Sequence, residues 1–466
     1  MNVLLVSPYR GAIFESSGIR VQPLGLGYIG AALREAGHEV EIEILDDPAS
    51  PVDFSDADVV GISCTTVQYK HGVRIAKAAK AEGKTVIMGG VHPTTCPEEA
   101  LNTGCVDYVV RGEGEVTVVE LLERLTLGRD FAPETIPGIS WVGNGHVRHN
   151  EPRPFITDLD ALPFPKRDAN WRKNGDIQAY NDVQFPITTT RGCPYACKFC
   201  DVHIIAGRRF RMRSVANIVQ EAEDLALNYG KTKLLVVDDI INFDPERLIK
   251  LCDALIERSL PVISGVMGRA DHLIAAPKTV ERMARAGVRS MFLGIESPQK
   301  RVLKAYRKGG KSSPEISEQA VKILKNFGIE TWGAFMIGEP GETRRDVEET
   351  IDYAKYLNPG VAQFSILTPY PGTEIWKEFQ PRIFTKDWDR YDAMHAVFRG
   401  DYLEPRELED YCRKAWVSFY LQPKRIAKEL FSRHHFGRPG LKRIKRVVNS
   451  MKVVFKDGDV SDVAPD

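Results

Sequence analysis

The 466-residue sequence predicts an α/β protein with two sheet-containing bodies: a doubly wound parallel sheet, then an incomplete barrel, then a helical C-terminal segment. Three observations predict this. Short apolar runs alternate with helix-like segments over residues 1–128 and again over 183–395, the pattern of parallel sheets with crossover helices. Between them Pro152, Pro154, Pro163 and Pro165 mark residues 151–167 as an extended, stiff linker. In both bodies glycines and short polar residues collect just after the apolar runs, where open sheets and barrels place their ligands.

In the first body Val3–Val6 is apolar throughout, as a strand covered on both faces should be. Leu24–Ala36 reads as a helix in which Gly25, Gly27 and Gly30 allow close packing. Val40–Leu45, Val59–Cys64, Thr85–Met88 and Tyr108–Val110 follow as strands, separated by helices over His71–Ala81 and Glu115–Leu125. Residues 136–149 (IPGISWVGNGHVRH) predict a hairpin turning at Gly143-Asn144-Gly145. The second body offers strands at Pro186–Thr190, Lys233–Val237, Val262–Met267, Ser290–Gly294, Thr331–Ile337 and Val361–Leu367. Helices alternate with them at Val215–Tyr229, Pro245–Arg258, Pro277–Ala286, Pro314–Phe327 and Arg344–Leu357, making a partial TIM barrel of the (β/α)6 kind. The expected divisions are 1–135, a hairpin and linker over 136–182, 183–395, a helical region over 396–456 and a disordered tail over 457–466. Lys424–Val448 is strongly basic: a solvated helical face, or a surface for docking an acidic partner or anionic lipid.

Composition narrows the class. With 63 basic and 63 acidic residues the net charge is zero, which gives no electrostatic footprint for nucleic acid. No apolar run reaches membrane-spanning length, and Met1-Asn2 leads into VLLV without a signal peptide. Eight cysteines, three clustered and five scattered, make no disulfide framework and suit a reducing cytoplasm.

The three clustered cysteines carry the chemistry. Cys193, Cys197 and Cys200 stand in C-x-x-x-C-x-x-C spacing within RGCPYACKFC, just after the first strand of the second body. Thiolates in a tight loop hold zinc or iron–sulfur clusters. A structural zinc site wants four closed ligands, whereas three thiolates on a four-iron cluster leave one iron open.

This loop resembles that of the radical S-adenosylmethionine (SAM) enzymes, and PLGLGYIGAALREAGHEVEI, VGISCTT, VIMGGVHPT and RGEGE resemble the Rossmann-like cobalamin-binding domain found before many of them. The resemblance covers residues 1–395 and implies a cobalamin-binding radical SAM methyltransferase with three cofactors: a [4Fe-4S] cluster on Cys193, Cys197 and Cys200, SAM, and methylcobalamin. Implied cobalamin contacts are Ser63, Thr65, Thr66, Val67, Gln68, Gly89, Gly90, His92, Arg111, Gly112 and Glu113. Implied SAM contacts are Asp238 and Asp239, where VVDD replaces the usual glycine-glycine-glutamate, with Arg269 and Glu296. The D-x-H-x-x-G motif that supplies a lower histidine to cobalt in many cobalamin enzymes is absent; Asp201-Val202-His203 with Gly207 has one residue too many. The lower corrin face is therefore expected to meet Val67, Gln68 or Tyr69 without a histidine bond, and His71 reads as an ordinary surface helix histidine.

By the same resemblance, one electron cleaves SAM to a 5′-deoxyadenosyl radical, which takes hydrogen from an unactivated carbon, and that carbon collects a methyl group from methylcobalamin. The family offers several substrates. One is a protein side chain such as a glutamine of methyl-coenzyme M reductase, which the similarity of MNVLLVSPYRGAIFESSGIR favours. Others are a hopanoid or other lipid, to which the segment Trp388, Tyr391, Asp392, His395 is similar, and a porphyrin-pathway intermediate closed by an oxidative cyclase. An electron donor of ferredoxin or flavodoxin type is an implied partner. From a different class, a non-catalytic cobalamin sensor would need no acids at successive strand ends, and Asp238, Asp239 and Glu296 speak against it.

Overall fold

The structure, a computed structural model, describes residues 1–11, 20–128, 131–173, 176–177, 184–230, 233–260, 262–308 and 311–426. Strands β1 (Asn2–Ser7), β2 (Glu39–Leu45), β3 (Val59–Ser63), β4 (Thr85–Gly89) and β5 (Tyr108–Val110) form a parallel sheet in the order 2-1-3-4-5. This doubly wound order places a ligand crevice beyond the carboxyl ends of the strands. Helices Leu24–Glu35 and Glu115–Leu125 cover one face. Gly30 and Gly27 let the first of them close in, since a Cβ at Gly30 would lie 3.0 Å from Ile42 Cδ1 and one at Gly27 2.9 Å from the Lys166 carbonyl. Gly25 serves differently: nothing stands within 4 Å of its would-be Cβ, and it lines a cavity.

The predicted hairpin forms from β6 (Ile139–Gly143) and β7 (His146–His149), antiparallel to each other, with β6 also antiparallel to β5. Its turn is Asn144-Gly145, both with positive φ (53° and 78°), the two-residue turn whose twist suits a hairpin. The sequence reading missed β8 (Asn170–Lys173), which joins β2 in parallel, and β9 (Asp176–Ile177), which pairs with β8.

The second sheet is fully parallel and runs in sequence order: β10 (Pro186–Ile187), then β13 (Lys233–Val236), β14 (Val262–Gly268), β15 (Ser290–Glu296), β16 (Glu330–Ile337) and β17 (Val361–Ile366). The strand expected over Pro186–Thr190 divides. Thr190–Arg191 (β11) leaves the barrel and pairs antiparallel with Arg211–Met212 (β12), closing the neck of the cysteine loop. Helix Pro405–Tyr420 backs the last strand, where Trp416 Nε1 donates to the Phe364 carbonyl (3.1 Å).

The proline-rich linker is bolted to both bodies. Lys166 donates its backbone N–H to Gly27 (3.0 Å), and buried Arg167 pairs with Glu221 of the barrel (2.7 Å), which also takes Arg213. One apolar core joins the bodies, with Tyr69, Met88 and Leu101 packing together with Tyr306, Leu367, Trp388 and Tyr391. Among the described residues no helix is long and apolar enough to cross a membrane. The basic stretch Lys424–Val448 lies outside the described residues beyond Ile426, as does the tail.

Candidate functional site

The cysteine loop opens at the carboxyl end of the first barrel strand, as the barrel rule requires. Gly192 sits at its entry with φ of +88°, and a Cβ there would meet the carbonyls of Ala206 (2.9 Å) and Gly207 (3.0 Å), so only glycine fits. Cys193, Cys197 and Cys200 follow in the loop, all half-buried and none in a disulfide; a tight turn joins the last two, with the Cys200 N–H donating to the Cys197 carbonyl (3.1 Å). Burial raises the Cys193 thiol and pushes that of Cys200 up to about 12. These thiols carry thiolate charge only beside a cation, and three of them in one loop fit a four-iron cluster with one iron left open.

Two acids follow β13, and the structure separates them. Asp238 is fully buried and its carboxylate is consumed: Oδ1 accepts from the backbone N–H groups of Thr189 (2.5 Å) and Thr190 (3.0 Å) and from Thr188 Oγ1 (3.2 Å), while Oδ2 accepts from Thr189 Oγ1. Arg247, which donates to the Thr189 carbonyl (2.9 Å), supplies the countercharge. Asp238 was expected to contact SAM; its atoms instead brace the strand that carries the cysteine loop. Asp239 faces a cavity, and its Oδ2 accepts from Gly192 N–H (3.1 Å). Burial pushes its carboxyl up to about 6, with Asp238 and Asp201 adding to the shift.

Arg269, at the end of β14, forks onto Asp271 (3.0 Å to each oxygen), and its guanidinium lies 3.8 Å from the ring centroid of Tyr195, inside the cysteine loop. It therefore stands beside Cys193 and Cys197, whose charges it feels. Glu296 closes β15 with φ of 64°, beyond a register shift against β16, and pairs with Lys308 (2.5 Å). Left-handed backbone at a non-glycine strand end is the kind of strain held at functional sites.

At the ends of the first sheet a cavity of about 420 Å³ opens, floored by apolar side chains such as Leu5, Leu26, Ile29 and Leu122. Ser63, Gly89, Gly90, Gly112 and Glu113 line it, as does Asp239 across from them. Gly25 and Gly112 leave open space where a Cβ would stand. A glycine-rimmed, mostly apolar pit beyond strand ends fits a cobalamin with its nucleotide tail seated between sheet and helices.

Other expected contacts lie elsewhere. Thr65 and Gln68 spend themselves on a reciprocal cap, with Gln68 Oε1 accepting from Thr65 N–H (3.1 Å) and Gln68 Nε2 donating to the Pro8 carbonyl (2.5 Å). Thr66 is buried, and Val67 remains half-exposed on the same turn. Arg111 ties down the hairpin through the carbonyls of Ile139 (3.2 Å) and Asn150. His92 is buried between Tyr69 and Trp388, away from the cavity. His71 is buried as well, contrary to the surface position expected for it; its Nδ1 accepts from Tyr9 N–H (2.9 Å), and burial lowers its pKa to about 4.

Glu113 has a second task. Its carboxylate meets Arg191 (3.0 Å) and Arg211 (2.8 Å), while Glu115 takes the other Arg191 nitrogen (2.7 Å). Arg191 also lies 4.9 Å over the Tyr28 ring. The loop after β5 thus grips both strands of the cysteine-loop neck. Sequence reasoning missed Lys308, Tyr195 and Arg191 in these roles; Arg191 alone carried a signal, as the residue just before Gly192 and Cys193.

The profile of the radical SAM superfamily matches residues 187–354, and that of the B12 binding domain residues 11–122. An uncharacterized methyltransferase of Pyrococcus horikoshii is 35% identical over 471 residues, covering 98% of this chain and 99% of its own length. The anaerobic magnesium-protoporphyrin IX monomethyl ester cyclase of Rubrivivax gelatinosus is 25% identical over 98% of this chain and 83% of its own. The fold is similar to that of the radical SAM methyltransferase TsrM from Kitasatospora setae, solved with cobalamin and [4Fe-4S] cluster bound (TM-score 0.71, 20% identity, 97% of this chain and 99% of that one).

Proposed function

This chain belongs to the cobalamin-binding radical SAM methyltransferases, and from that premise we propose that it methylates an unactivated sp3 carbon, with a glutamine side chain of methyl-coenzyme M reductase as the first substrate to test. It is a methyltransferase whose cofactors are a [4Fe-4S] cluster, SAM and cobalamin. The observation that carries the proposal is the single cavity bounded by Gly89, Gly90 and Gly112 of one body and by Thr190, Arg191 and Asp239 of the other. A substrate entering it would meet both cofactor sites. The opening residues, with their similarity to the glutamine-modifying branch, support the protein substrate.

When bound, the cluster supplies the electron that cleaves SAM, and cobalamin supplies the methyl group. The residues do the rest. Cys193, Cys197 and Cys200 hold the cluster. Asp239 and Arg269, flanking the loop, present opposite charges to the amino and carboxylate groups of SAM, and Glu296, held by Lys308, fits its ribose hydroxyls. The apolar floor of the cavity, Leu5, Leu26, Ile29 and Leu122, presents hydrocarbon on that side of the substrate. An electron donor of ferredoxin or flavodoxin type completes the system.

The test uses reconstituted enzyme, a low-potential reductant and SAM labelled in its methyl group. Label in a methyl-coenzyme M reductase peptide, with 5′-deoxyadenosine and S-adenosylhomocysteine in equal amounts, is the expected result. Deoxyadenosine without labelled product from a porphyrin ester would assign the chain to cyclisation, and label in a hopanoid would assign it to lipid methylation.

A further inference from the structure

Away from the cysteine loop, a second group of metal-ligating side chains converges where the first body meets the segment after the barrel. His92 lies in helix Val91–Thr95, Cys96 follows it, and Glu99 lies in helix Pro97–Leu101. One donor atom from each lies within 4.8 Å of the other two. Around a tetrahedral zinc with bonds of about 2.0–2.3 Å, ligand atoms stand roughly 3.3–3.8 Å apart, so small side-chain rotations close the gap.

His92 is the second, independent observation. Its side chain is 0% exposed, and neither ring nitrogen has a hydrogen-bond partner among the described residues. A buried imidazole in that condition is rare. Its Nε2 points at Glu99 Oε2 from 3.6 Å, too far for a hydrogen bond. The ring is held in place by Tyr69 (4.2 Å between centroids) and Trp388 (4.8 Å). Trp388 Nε1 also donates to Glu99 Oε1 (2.6 Å), which fixes the carboxylate and leaves Oε2 toward the histidine. Such an outer partner is what orients metal-ligating carboxylates. Cys96 has a free thiol, and its sulfur accepts only a long contact from Thr95 Oγ1 at 4.0 Å. A Cys96 thiolate together with the Glu99 carboxylate balances the charge of a dication. The Glu99 side chain is 42% exposed, which leaves an entry path and room for a water as fourth ligand.

We infer that His92, Cys96 and Glu99 form a mononuclear site for a borderline-soft divalent ion, zinc above all, that pins the first body to the segment carrying Trp388. The nitrogen, sulfur and oxygen donors suit zinc better than calcium or magnesium. This site is separate from the cluster loop and does not depend on the substrate proposed above.

The test uses the full-length, cluster-reconstituted, cobalamin-loaded protein, equilibrated with zinc chloride and passed over chelating resin, with zinc, iron and cobalt measured together by mass spectrometry. Wild type is expected to retain about one zinc per chain, and Cys96→Ser and His92→Gln to bind it at least about tenfold more weakly. Cys105→Ser, a buried cysteine outside the group, is expected to retain it. Iron and cobalt contents equal to wild type verify that the variants fold, and Glu99→Gln replaces His92→Gln should that buried change fail. Wild type without zinc, or zinc held undiminished by either variant, overturns the site.

Discussion

Asp238 and Asp239 are chain neighbours just past β13 with opposite assignments: the first carboxylate is taken up by Thr188, Thr189 and Thr190, and the second faces the cavity. Removing the Asp238 carboxylate strands two backbone N–H groups and the Thr189 hydroxyl in the interior, while the Thr188 hydroxyl keeps the Thr190 carbonyl (2.8 Å) as acceptor. Asp238→Ala is therefore expected to cost about 3–5 kcal/mol in urea unfolding and to carry cluster iron away with it. Asp239→Asn keeps the acceptor for Gly192 but loses the charge. It is expected to leave the urea midpoint unchanged and to cut 5′-deoxyadenosine formation at least about 100-fold. Equal loss of stability in both variants would refute this division. His71 adds a pH dependence. Its folded pKa of about 4 lies below the 6.5 of a free histidine, so the folded state binds fewer protons than the unfolded one between those values. The stabilisation is complete above about pH 6.5 and declines as pH falls toward about 4, by about 2–3 kcal/mol in all. His71→Asn, whose amide oxygen can still accept from Tyr9, should remove that decline; unfolding free energies of the two proteins at stepped pH would reveal it. Nothing in the sequence around His71 announced its burial, because the groups that enclose it come from Tyr9 and the first strand end.

At the scale of elements, the cysteine loop depends on its neck. The two-residue pairs of β11 and β12 hold the loop shut, and Gly192 makes the turn between them and the first thiol. Gly192→Ala places a methyl group against three backbone carbonyls at a positive φ. It is expected to cost about 1–3 kcal/mol and to lower iron per chain well below that of wild type; a fully loaded cluster in this variant would show the turn to be tolerant. Most elements were legible beforehand because their apolar periods are clean: helices Val215–Tyr229 and Arg344–Leu357 and strand Tyr108–Val110 fall on their predicted bounds. Strand β8 was not, since NWRK is short and largely polar and is recruited only by the edge of β2. The split of Pro186–Thr190 was hidden for a related reason, because the pairing partner of Thr190–Arg191 lies beyond the cysteines.

Across the two bodies, the cysteine spacing pointed to a cluster with one iron open and the family resemblance implied SAM and cobalamin, whereas the contacts between the bodies stayed invisible. Arg191 and its partners Glu113 and Glu115 lie in different bodies, too far apart in sequence for any local pattern to pair them. That clamp sets how the glycine-lined cavity faces the cluster loop. Lysine cannot span both carboxylates as the guanidinium fork does. Arg191→Lys is therefore expected to keep SAM cleavage within a few-fold of wild type while the yield of methylated product per 5′-deoxyadenosine falls several-fold. An unchanged ratio would make the clamp a matter of stability alone.

The shared core has a consequence for how the protein is made. The ring of His92 and the side chain of Tyr69 are covered by Trp388, a residue about 300 positions later in the chain. At about 5–20 residues per second, a ribosome needs roughly 15–60 s to reach it. During that interval the nascent first body cannot cover this aromatic face with its own chain, and the face stays open to off-pathway contacts until residues 388–391 emerge to close it.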